Sequence, residues 1–121
     1  MTRTNKSTSP LITVPRAEAI ARLNDKLRQT GTGGVIVVTN GVRALPHFDA
    51  AQLLRALASF NGFDADNDPH GERDFGDVQL AGTDLLWKID CYDLDMLYGS
   101  PDPADPSVTH RVLTVMLPCE Y

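Results

Sequence analysis

The chain has only two cysteines, Cys91 and Cys119, far apart and outside any C-x-x-C pair. That excludes a disulfide framework and a short-spaced zinc site, and leaves two buried thiols in a reducing compartment as the expectation. No apolar run approaches the roughly 18 residues that span a bilayer, so no membrane helix is expected. The opening MTRTNKSTSPLITV carries basic residues but no apolar core long enough for a cleaved signal. These absences predict a cytoplasmic protein, with residues 1–12 as a flexible tail and 13–121 as a single domain. Catalytic signatures are scarce too: there is no G-x-S-x-G, no P-loop and no cysteine with an identifiable histidine partner.

Glutamate is nearly missing. Thirteen of the sixteen acids are Asp, a residue favoured in turns and caps over helix interiors. The charge is also unevenly spread: residues 1–43 carry a net +5, and residues 44–121 a net −10. So acidic a C-terminal part repels phosphates, which disfavours direct nucleic-acid binding and favours basic protein surfaces or cations.

What remains patterns clearly. Ile20, Leu23 and Leu27 give a helix after Pro15, with Arg16, Arg22, Lys26 and Arg28 on its other faces and Gly31 to end it. Val35 to Thr39 reads as a strand, Asn40-Gly41 as a hairpin turn, and Val42–Leu45 as the returning strand before Pro46. Asp49 and Gln52 open a second helix whose buried stripe is Leu53, Leu54, Leu57 and Phe60, with Phe48 stapling onto Leu53. DFGDVQL and LLWKIDCYD form a hairpin around AGTD; Leu85, Trp87, Ile89 and Cys91 share one face. HRVLTVML is the last strand. The order is α-β-β-α-β-β-β, an α+β fold with an antiparallel sheet of four to five strands and two helices on one face.

Two segments are candidates for chemistry. FDADNDPHGERDFG, residues 63–76, resembles a calcium loop in composition but fails its spacing in both frames. Started at Asp64, the turn glycine is Pro69 and the bidentate acid is Phe75. Started at Asp66, Gly71 fits but His70 and Arg73 do not. An irregular divalent-cation site using Asp64, Asp66, Asp68 and Glu72 is the alternative to a plain chain of Asx-turns. It would make the protein a metal-dependent hydrolase or a cation-stabilised domain; otherwise no cofactor is expected. His70-x-Glu72 lacks the second half of a zinc deaminase signature, since Pro118-Cys119 is followed only by Glu120-Tyr121. An acid two residues before Lys88, as metal nucleases want, is Leu86 instead. TGTGGV runs from helix into strand, the reverse of a phosphate cradle.

The second segment, DCYDLDMLYGSPDPADPS, presents Asp93, Asp95, Asp102 and Asp105 beside Tyr98 in a proline-stiffened loop. Acids interleaved with aromatics suit a contact with a basic protein surface. The principal expectation is therefore a non-catalytic acidic binding module, with no catalytic residues.

FDADNDPHGERDFG, LLWKIDCYD and YGSPDPADPSVTHRVLTVML together resemble a family of small proteobacterial proteins known only as a domain of unknown function, over about residues 15–121. The resemblance implies no activity and transfers no catalytic residue. It suggests a mobile-element context, in which small acidic proteins block host defence complexes that handle nucleic acid.

Overall fold

Proline at the N-cap starts helix α1, Arg16–Thr30, and Gly31 ends it in the left-handed conformation at φ 74°. The computed structural model describes residues 14–121, so the tail expected over 1–12 lies outside the described residues. Helix α1 buries Ile20, Ala21, Asn24, Leu27 and Arg28. Arg28, expected on an outer face, is therefore a core residue.

Strand β1, Val35–Val38, follows, then a short helix α2, Asn40–Arg43, and helix α3, Ala50–Ser59. Strands β2, Phe75–Leu80, and β3, Thr83–Tyr92, form the expected hairpin, turned by Ala81 and Gly82 at positive φ. Strand β4, His110–Met116, lies antiparallel to β3 on its other side. The four strands run in the order β1-β4-β3-β2, and β1 pairs parallel to β4 from Val35↔Val112 to Val38↔Val115. This is the single α+β domain expected, with helices packed against a mixed, mostly antiparallel sheet.

The strand expected over Val42–Leu45 does not form. Asn40-Gly41 opens α2 instead, because Thr39 caps it: the Thr39 hydroxyl accepts the Val42 N–H at 3.3 Å. A distant residue completes the arrangement. The Glu120 carboxylate accepts the Thr39 hydroxyl at 2.6 Å and the Leu117 N–H at 2.8 Å. A Cβ on Gly41 would lie 2.6 Å from that carboxylate, so the glycine allows a close approach and not a hairpin turn. Diverted into helix, the chain leaves β1 without an antiparallel neighbour, and β4 takes it in parallel.

The core lies on one face of the sheet. Leu85, Trp87 and Ile89 of β3, Val78 and Leu80 of β2, and Leu113 and Val115 of β4 meet Leu27, Val42, Leu53 and Leu57. Full burial of each large aliphatic contributes about 1.5–3 kcal/mol. Trp87, Phe60 and Phe63 meet edge to face at 4.8 to 6.0 Å between ring centroids. Leu54, expected in the buried stripe of α3, is 46 % exposed. Cys91 is half-buried on the core face, and Cys119, expected to be buried, is exposed.

Two buried arginines tie loops to this core. Arg28 donates to the carbonyls of Leu57 (2.8 Å) and Phe60 (3.0 Å), where α3 ends, and to Asp25 (3.0 Å). Arg111 donates to Asn24 Oδ1 at 2.7 Å and to the Pro103 carbonyl, while Asn24 donates to the Glu72 carbonyl at 2.9 Å. Both long loops are thus bonded through α1 to the sheet.

Three surface carboxylates, Glu18, Glu120 and Asp105, give the fold a pH dependence of known sign. Hydrogen bonds from Arg73 hold Glu18 below its ordinary 4.5, and the Thr39 hydroxyl holds Glu120 below the same value. An acid lowered on folding stabilises the folded state above its unfolded pKa and stops doing so as pH falls through the lowered one. Asp74, pushed up by burial, acts in the opposite sense. Melting temperature is expected to drop as pH falls through the ordinary carboxylate value of 4.5 and below it. The Glu18→Gln/Glu120→Gln pair should flatten that slope; an equally steep slope in the double variant would contradict the assignment.

Candidate functional site

Strand β3 ends at Tyr92, which bridges Gly99, and the residues between them form a closed tip. The Asp93 N–H donates to the Tyr98 carbonyl at 2.8 Å, and the Met96 N–H to the Asp93 carbonyl at 3.0 Å. The Asp93 carboxylate accepts the Leu97 N–H at 3.0 Å. Met96 takes φ 60°, a conformation that costs a non-glycine residue about 1 kcal/mol or more.

This braced turn displays apolar side chains. Leu94 is 56 % exposed, Met96 48 %, Leu97 72 % and Tyr98 74 %. Isolated exposed leucines are ordinary, but four large apolar residues within five positions form a patch of the Tyr- and Met-rich kind found at protein interfaces. Asp93 and Asp95 flank it. Asp95 is exposed, and among the described residues its carboxylate makes no hydrogen bond or ion pair.

Of the expected partner-binding residues, the structure therefore brings Asp93, Asp95 and Tyr98 onto one tip. Asp102 and Asp105 are engaged within the protein. Asp102 accepts from the Ala104 N–H and pairs with Arg16 at 3.1 Å. Asp105 accepts the Ser107 hydroxyl at 2.7 Å and its N–H at 2.9 Å, and these bonds hold its carboxyl below the usual range. Leu94 and Leu97 carry no periodic signal, helical or alternating, and sequence reasoning missed them. The available hint was apolar residues packed between acids in a turn with no face to bury them on.

The cation cage expected from Asp64, Asp66, Asp68 and Glu72 is not assembled. Asp64 Oδ1 accepts the N–H groups of Asp66 (2.9 Å) and Asn67 (3.0 Å), a local Asx-turn. Asp68 Oδ1 accepts the Arg73 N–H at 2.9 Å, and Glu72 is held by its carbonyl. Asp66 points into a shallow cleft. Among the described residues no three His, Cys, Asp or Glu groups are placed to hold a metal ion. Arg73 of this loop extends its guanidinium to α1, reaching Asp25 at 2.9 Å and Glu18 at 3.1 Å. The segment is a stiff connection clamped onto the first helix.

That shallow cleft, of about 390 Å³, is lined by Asp66, His70, Asp74, Lys88, Asp90 and Tyr121. Lys88 pairs with Asp90 at 3.0 Å, and His70 has no hydrogen-bonded acid or hydroxyl among the described residues. A nucleophile with an aligned base is not present there. Burial pushes the Cys91 thiol up, away from a reactive thiolate.

These features define a small single-domain α+β protein with an exposed apolar tip and no assembled catalytic constellation among its described residues. The chain belongs to the family described as a protein of unknown function (DUF3768), whose family model matches residues 38–120. The match leaves α1 and all of β1 but Val38 outside it. Neither the comparison with curated proteins nor that with solved structures returns a match. No described helix is long and apolar enough to cross a membrane.

Proposed function

We propose that this protein is a non-catalytic binding module that docks through the tip Asp93–Tyr98 onto a basic, partly apolar protein surface. The observation that carries the reading is the simultaneous bracing and exposure of Leu94, Met96, Leu97 and Tyr98. A turn fixed before contact loses little entropy on binding, and apolar anchors in its centre supply the affinity. Asp95, with the remaining negative charge of the C-terminal part, steers the encounter and makes it salt-sensitive. A complex that handles nucleic acid offers such a surface in its basic groove. Encoded on a mobile element, a module of this kind would occupy that groove in a host defence complex.

The test is capture of partners from host lysate at low and high salt. Leu97→Ser/Tyr98→Ala is expected to keep the wild-type melting temperature, because both side chains are exposed. It should weaken capture by roughly 30-fold or more, as loss of a central anchor of about 2 kcal/mol does. Asp95→Lys should slow association and reduce its salt dependence. Retention of the same partners at full strength by the double variant would remove the tip from consideration.

A further inference from the structure

Among the described residues, strand β1 lies at the edge of the sheet with only β4 beside it. It reads Val35–Val38 without interruption and has none of the lysine, proline or bulge devices that usually keep such edges from pairing. Val35 is 53 % exposed and Val37 42 %. The Thr39 N–H donates to the Val115 carbonyl, and alternation along a parallel strand then turns the N–H and C=O groups of Ile36 and Val38 toward the open side. Beneath that side runs an apolar groove of about 550 Å³, lined by Ile36, Val38, Phe48, Leu53 and Leu54. The unexpected exposure of Leu54 belongs to this groove. An added strand would find main-chain partners along β1 and a trough for its inward side chains.

Charge decides what fits. Arg43 lines the groove past the end of β1, and the Lys26 side chain lies against Gly33, just before its start. Neither forms an ion pair among the described residues, no acid lines the groove, and residues 1–13 contain no acid. Each end of the edge therefore carries an unpaired cation, in a chain whose net charge is −5, while the Glu120 carboxylate near Thr39 is engaged by the Thr39 hydroxyl and the Leu117 N–H. A second copy paired antiparallel through the same strand would set Arg43 toward the partner copy's Lys26 end, positive against positive. The chain's own residues 1–13 bring Arg3 and Lys6 and are equally mismatched.

We propose that β1 is a strand-docking edge for an extended segment of another protein, a short β-branched apolar run bounded by acidic residues. The apolar run lies beside Ile36 and Val37 with alternate side chains in the groove, and its acids meet Lys26 and Arg43. This surface is separate from the tip at Asp93–Tyr98 and stands independently of it.

The test uses the full chain and two fluorescein-labelled, end-blocked peptides. One is Glu-Glu-Val-Thr-Val-Ile-Val-Glu-Glu; the other replaces each Glu with Lys. The acidic peptide is expected to bind at least tenfold more tightly by anisotropy. Its binding should slow amide exchange at Ile36 and Val38, which loose ionic contact would not do. Lys26→Glu/Arg43→Glu, at two exposed positions, should reverse the preference between the peptides. Binding of neither peptide, equal binding of both, or a preference unmoved by the charge reversal overturns the proposal. So does concentration-dependent dimerisation that Val37→Lys abolishes, since a second copy would then own the edge.

Discussion

Replacing Arg28 with alanine is expected to lower the unfolding free energy by about 3–5 kcal/mol, a large part of the roughly 5–15 kcal/mol that holds a domain together. The guanidinium bonds the carbonyls that end α3 and pairs with Asp25, and it sits 5.4 Å from the Phe63 ring centroid and 5.9 Å from that of Trp87. Its Nε–H finds no acceptor among the described residues. That limits what the group is worth in place, but the penalty for removing it is set by what is left behind. Truncation strands buried carbonyls and opens a void beside two aromatic rings. For a chain of this length the melting temperature should fall by roughly 10–20 °C. Arg28→Met, which refills the volume without the donors, should recover only about 1–2 kcal/mol of the loss. Denaturant unfolding of both variants checks this, and a loss below about 1 kcal/mol for alanine would show the network to be marginal.

Gly34→Ala should destabilise by about 3 kcal/mol, through steric overlap with backbone. A Cβ there would run into the Arg111 carbonyl oxygen, with the Arg111 Cβ at 2.9 Å and a Leu27 methyl at 3.0 Å. Relief requires moving β1 off β4 or α1 off the sheet. The comparison that isolates this cause uses two other glycines. At Gly76 the obstacles are the Phe60 and Trp87 rings at 2.8 Å, and alanine should cost about 1–2 kcal/mol. At Gly31 nothing lies within 4 Å, and only the left-handed backbone opposes alanine, at about 1 kcal/mol. The measured order should be Gly34, then Gly76, then Gly31. A Gly34 variant no worse than the Gly31 variant would mean that β1 and β4 are less tightly apposed.

Local signals carried much of the fold. Gly31 ends α1, Asp49 caps α3 by accepting the Gln52 N–H at 3.1 Å, and the alternation from Leu85 to Ile89 marks the core face of β3. Asn40-Gly41 misled because the deciding atom, the Glu120 carboxylate, arrives from the far end of the chain. A two-residue turn signal cannot register such a contact. Asn24 and Arg28 lie one and two helical turns beyond Ile20, on its own stripe, yet the charge of Arg28 argued for an outer face. Only the stranded carbonyls of α3 make a buried arginine favourable there. At the tip, the acids were legible as a charged surface, but Leu94 and Leu97 were not, since exposure in a turn leaves no period to read.

The parallel pairing of β1 with β4 also sets a schedule for synthesis. Strands β2 and β3 are joined by a tight hairpin, and β4 pairs with β3 after the loop 93–109, so the three can assemble in order as they emerge. Strand β1 is made before the other three described strands, but its neighbour in the sheet is β4, the last of those three. The valines of β1 must wait, uncovered, until β4 has been made. A nascent chain stalled before His110 should accordingly be open to proteases or chaperones along β1, and become protected only once β4 has cleared the exit tunnel.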